Sequence, residues 1–92
     1  MKITLKELIL KRFRVNYLKG KSGFVNSQKI QDIMHEITGH KHETIGRSLR
    51  TMAEDGLLKR EEMKIGNATV ASVYYQYVPS DKEIISYNYK HQ

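Results

Sequence analysis

Glu43-Thr44-Ile45-Gly46-Arg47-Ser48-Leu49-Arg50-Thr51-Met52-Ala53-Glu54-Asp55-Gly56-Leu57-Leu58-Lys59-Arg60 is the stretch whose reading decides the fold. Ile45, Leu49, Met52 and Ala53 recur at helical spacing and form one apolar stripe. Gly56 stops the helix, because glycine tolerates the left-handed backbone that closes one. Leu57 and Leu58 then return the chain to the core. A helix over about 41–55 is therefore expected to run straight into a strand that starts near Lys59.

Upstream, two more helices are legible. Thr4-Leu5-Lys6-Glu7 has the form of a capping box, in which a hydroxyl and a carboxylate each satisfy a free first-turn N–H. Leu5, Leu8, Ile9 and Phe13 then share one face of a helix over about 4–18. Ile3, Leu10 and Tyr17 recur at seven-residue spacing as a second stripe. Lys19-Gly20-Lys21-Ser22-Gly23 ends this helix in a turn. Phe24-Val25 is a short extended piece, and Asn26-Ser27 offers a cap for a helix over about 27–38. Ile30, Ile33, Met34 and Ile37 are its apolar stripe, and Gly39 is its stop.

Downstream, the period changes from helical to alternating. Lys59 to Ile65 reads as a strand with Met63 and Ile65 on one face. Gly66-Asn67-Ala68 reads as a tight hairpin turn. Thr69 to Val78 reads as the returning strand, rich in β-branched and aromatic residues, with Val73, Tyr75 and Tyr77 on one face. Pro79 ends it. Ser80-Asp81-Lys82-Glu83 is another capping box, which allows a short last helix near 84–89.

This order resembles the winged helix-turn-helix family. The resemblance covers about residues 4–79. Its most specific carriers are Thr44-Ile45, Arg47, Leu49, the acidic pair Glu54-Asp55, Gly56, and Leu57-Leu58. It implies an α+β fold of three helices plus a C-terminal β-hairpin wing at about 59–78, in one domain spanning 1–92. It also implies double-stranded DNA as the partner. The third helix would enter the major groove, which is about 12 Å wide and accepts one helix.

The charge agrees with a polyanionic partner. The 92-residue chain carries a formal net charge of +6. Residues 1–23 hold seven basic groups and one acid, a net of +6, and the rest sums to zero. A basic surface of this size favours nucleic acid. Lys6, Lys11, Arg12, Arg14, Lys19 and Lys21 carry that excess. The null is a solvated helix face that keeps the protein in solution.

On the third helix, Arg47 points away from the apolar stripe, with Glu43, Thr44, Arg50 and Thr51 around it. An arginine there can bond guanine O6 and N7 together, worth about 1–3 kcal/mol of discrimination. Glu43 can accept from a cytosine amino group, and Gly46 leaves the flank bare for close approach. The base-reading candidates are thus Arg47, Arg50, Glu43, Thr44 and Gly46. The plain alternative pairs Glu43 with Arg47 and Arg50 with Glu54 on a solvated face, at about 0.2–0.5 kcal/mol each. Backbone-contact candidates are Lys19, Lys21, Asn26, Ser27, Lys29, Lys41, His42, Lys64 and Asn67. Asn26 has a rival role as a cap alone. The hairpin is less basic than many wings, with Glu61 and Glu62 at its base.

Other chemistry finds little support. The chain contains no cysteine, so disulfides and thiolate zinc sites are excluded. His35, His40 and His42 lie close together but without an acidic or thiolate ligand at metal-typical spacing, so no metal and no cofactor are expected. Gly20-Lys21-Ser22 ends like a phosphate-binding loop, yet Val15 stands where that motif needs glycine. No nucleophile, base and orienter share a recognisable spacing, so no enzyme is expected. Tyr74, Tyr75, Tyr77, Tyr87 and Tyr89 have the chemistry to stack on single-stranded bases, but sheet-face core and interface packing are the plainer roles. The apolar runs are too short for a membrane span, and the charged N-terminus is unlike a signal peptide. A cytoplasmic or nucleoid-associated protein is expected.

The reading is a sequence-specific DNA-binding protein acting as a transcriptional regulator, with no small-molecule ligand evident. A homodimer is expected, because Ile3, Leu10, Tyr17, Ile84, Ile85 and Tyr87 exceed what so small a core can bury. Its half-sites would lie about 34 Å apart. Two rivals remain. One is a winged-helix protein-interaction module, motivated by Glu43, Glu54, Glu61 and Glu62. The other is an accessory DNA-binding protein of plasmid or viral replication or partition.

Overall fold

The computed structural model describes residues 3–64, 66, 67 and 69–79. It is an α+β fold of three helices and one three-stranded antiparallel sheet. Helix α1 spans Leu5–Leu18, strand β1 Val25–Asn26, α2 Ser27–Thr38, α3 His42–Glu54, β2 Leu58–Met63 and β3 Ser72–Tyr77. The sheet order is β1-β3-β2, so the short strand between α1 and α2 pairs with the returning arm of the hairpin.

Local chemistry sets the helix ends. The Thr4 hydroxyl accepts from the Glu7 amide at 3.2 Å, and the Asn26 side chain accepts from the Gln28 amide at 2.8 Å. Each satisfies a first-turn N–H that the helix leaves open. Gly39 closes α2 at φ +77°, and Gly56 stands at φ +80° where the chain leaves α3. A side chain at either position would be strained.

The core is built from all three helices and the sheet. Ile9, Phe13 and Tyr17 come from α1, Ile30 and Met34 from α2, and Ile45, Leu49 and Met52 from α3. Leu58, Tyr75 and Tyr77 complete it from the hairpin. The Tyr17 and Tyr77 rings meet edge to face with centroids 5.6 Å apart, a favoured aromatic geometry. Among the described residues, no helix is long and apolar enough to cross a membrane.

Four expectations need correction. Tyr17 is not on an outward stripe but buried, and Leu10 packs partly buried against the same core. The two stripes of α1 are the two edges of one broad apolar face, since α1 meets both α3 and β3. The apolar surplus that pointed to a homodimer is smaller accordingly. Of its candidates on α1 and just before it, Ile3 alone is fully exposed, at 60 %. Ile84, Ile85, Tyr87 and Tyr89, and the last-helix expectation with them, lie outside the described residues.

Ile37 is 58 % exposed rather than core, and the buried residues of α2 are Ile30 and Met34. Leu57 is also exposed, and Leu58 alone brings the chain back to the core. The strands are shorter than expected, ending at Met63 and beginning again at Ser72. Eight residues, 64–71, therefore join them in place of a tight three-residue turn. In β2 the inward face is set by Leu58. Leu58, Arg60 and Glu62 stand opposite Tyr77, Tyr75 and Val73, so they share the face turned to the helices. Met63 lies on the other face, opposite Ser72.

Candidate functional site

A groove of about 390 Å³ lies between α3 and the hairpin. Glu43, Gly46, Arg47 and Arg50 line it from α3, Ser27 and Gln31 from α2, and Arg60 from β2. Val73 and Tyr75 form its floor from β3, and His42 stands at one end. The packing explains this gathering. Ile45, Leu49 and Met52 bury one side of α3, which turns Arg47 and Arg50 outward. Arg60 belongs to the row that contains buried Tyr75, and β2 is an edge strand, so its side chain emerges beside α3.

The electrostatics are those of an open cationic groove. Three guanidinium groups face a single carboxylate, Glu43, among the lining residues. The ion pairs among the described residues are Lys6–Asp55, His42–Asp32, Lys59–Glu61 and Arg60–Glu62. Neither Glu43 with Arg47 nor Arg50 with Glu54 is among them. Arg60 Nη2 donates to Glu62 Oε1 at 3.1 Å. That pair is exposed on both sides and contributes about 0–1 kcal/mol. It leaves Arg60 free to exchange partners.

Gly46 leaves the flank of α3 bare beside the Gln31 side chain. A Cβ there would stand 3.3 Å from Gln31 Nε2, which itself donates to the Ser27 hydroxyl at 3.0 Å. Mid-helix glycine costs about 1 kcal/mol relative to alanine. Here it keeps the groove open beside Arg47.

Other sequence candidates fall elsewhere. Thr44 is exposed on α3 but does not line the groove. Asn26 caps α2. His42 Nε2 is 2.9 Å from Asp32 Oδ1, and its ring stacks on His35 with centroids 4.4 Å apart. A carboxylate so close disfavours a phosphate at His42. His35 Nδ1 lies 2.7 Å from the His40 carbonyl oxygen, so Nδ1 carries the proton and donates. These histidines thus fasten the turn between α2 and α3. Among the described residues no three His, Cys, Asp or Glu side chains are grouped to hold a metal ion.

Lys41 is exposed at the start of α3. Lys64 and Asn67 are exposed in the loop after β2 and stand off the groove. Lys19 is exposed where α1 ends. Lys21 and Lys29 line a different cavity, between α1 and α2. The sequence reading missed Arg60. The signal for it was Leu58, whose burial fixes the parity that puts Arg60 on the same face.

No protein-family model matches the chain, no curated protein matches its sequence, and no solved structure matches it.

Proposed function

We propose that this chain is a winged helix-turn-helix protein that binds double-stranded DNA in a sequence-dependent way, as a transcriptional regulator does. The observation that carries the reading is the groove where Arg47, Arg50 and Arg60 converge from a helix and a strand. The order of elements supports it, as does the β1-β3-β2 sheet, which gives α3 an open face and a hairpin at its side.

In this reading α3 enters the major groove. Arg47 reads a base edge, with Arg50 beside it, and bare Gly46 sets the depth of approach. Arg60 and Lys41 neutralise phosphates on either side, and Ser27 adds a hydroxyl contact to the backbone. Arginine suits the central position because its planar fork makes two parallel hydrogen bonds.

A second reading is a module that holds a protein partner in the same groove. Glu43 in the groove and the Arg60–Glu62 pair at its edge favour it, since a peptide offers both signs of charge.

The two readings separate in one titration. Purified protein is titrated into a labelled random-sequence duplex at low salt, beside a variant with Arg47, Arg50 and Arg60 all changed to alanine. DNA binding predicts micromolar or tighter affinity that falls with salt and is lost in the variant. Absence of binding at low salt would sink the DNA reading and favour the protein partner.

A further inference from the structure

A second cavity, of about 370 Å³, lies on another side of the molecule, between α1, the segment before β1, and α2. Its wall is apolar: Phe13, Ile30, Met34 and Tyr77 are buried core residues that line it, and half-buried Ile33 closes it. Three exposed cations also line it, each from a different segment: Arg12 from α1, Lys21 from the connection, and Lys29 from α2. No carboxylate is among the described lining residues.

These features define a ligand class. The volume falls in the range of small-molecule sites, about 300–1,000 Å³. An apolar wall takes up an apolar body without asking for hydrogen bonds. Three cations on one cavity, with no carboxylate among its described lining residues, suit an anionic group. We infer that this cavity is a binding site for a small amphipathic carboxylate, its apolar body against Phe13, Ile33 and Met34 and its carboxylate at Arg12, Lys21 and Lys29.

The site accounts for basic residues that the α3 groove leaves aside. Lys21 and Lys29 are placed to meet a carboxylate here rather than a phosphate beside α3. The inference does not rest on the DNA reading, because it is tested on the free protein.

The test is an amide-resolved NMR titration of the full chain with octanoate, octanol and octylammonium at neutral pH, below micelle-forming concentrations. The expected result is saturable shifts centred on Phe13, Ile33, Met34 and Tyr77. Octanoate should bind at least ten-fold tighter than octanol, and octylammonium weaker than both. An Arg12→Gln, Lys29→Gln double variant changes only exposed side chains and so keeps the fold. It should bring octanoate within about three-fold of octanol and leave octanol unchanged. Ile33→Trp should fill the cavity and abolish both. Equal affinity for octanoate and octanol, shifts centred elsewhere, or no saturable binding would overturn the inference. So would nuclear Overhauser contacts from residues 80–92 to Phe13 or Ile33 in the free protein, which would give the cavity to the chain's own end.

Discussion

Arg60 on β2 stands directly opposite Tyr75 on β3, and both line the groove against α3. Tyr75 is buried and fixed, so the row it belongs to aims Arg60 at the outer rim of that groove. On the proposed DNA reading, Arg60 would there meet a phosphate rather than a base. Arg60→Ala should therefore weaken binding to all duplexes alike and lower the salt slope of log K by about 1. Thermal stability should barely change, because the exposed pair with Glu62 contributes little. Fluorescence anisotropy at three salt concentrations, beside a melting curve, checks both statements. A loss confined to one sequence would mean that Arg60 reads a base.

Arg47 has the opposite signature. Arg47→Ala should cost about 1–3 kcal/mol on the preferred duplex and relax preference at one base pair. Arg47→Lys should recover charge but not preference, since an ammonium cannot make the paired hydrogen bonds. Competition with single-base-substituted duplexes reads the difference. If both variants bind every duplex as the parent does, α3 does not read the groove through Arg47.

Gly46 separates stability from function. Gly46→Ala should leave the melting temperature equal or slightly higher. It gains up to about 1 kcal/mol of helix propensity and displaces only the flexible Gln31 amide. Its DNA affinity should nonetheless fall, because the methyl group fills the flank that lets α3 approach. A variant that gains stability and keeps full affinity would show that no close approach occurs there.

Tyr17 tests the architecture of α1. Tyr17→Ala removes a buried ring that meets Tyr77 edge to face and should cost about 3–5 kcal/mol. The loss should be the same at any protein concentration. If Tyr17 instead belonged to a subunit interface, the loss would depend on concentration. Chemical denaturation at two concentrations, ten-fold apart, distinguishes the cases.

The helices were legible because each local signal acts alone. Thr4 and Asn26 cap their helices through one hydrogen bond each, and Ile30, Met34, Ile45 and Leu49 are buried as their spacing predicts. Arg47, Arg50, Glu43 and Gly46 do come together, because the α3 stripe fixes which side faces out, and Ser27 joins them from α2. The hairpin was less legible for a definite reason. Lys59-Arg60-Glu61-Glu62 is charged at every position, so no alternation reveals which residues face inward. The pattern put Met63 and Ile65 on one face without telling which face is inward, and a one-residue slip moves every side chain to the other face. Arg60 was not singled out for that reason. Tyr17 was misread because seven-residue spacing looks like a separate stripe until the partners of α1 are known. The second cavity depends on residues from several segments, and no spacing along the chain announces it.

Whether α3 and the hairpin form the proposed sequence-reading DNA surface is decided by selecting the purified chain against a pool of random duplexes, at two salt concentrations and with sequencing of the bound fraction. The expected result is an enriched motif that persists at the higher salt and disappears when Arg47→Ala is selected in parallel. Binding without enrichment, or the same motif from the Arg47→Ala variant, would contradict it.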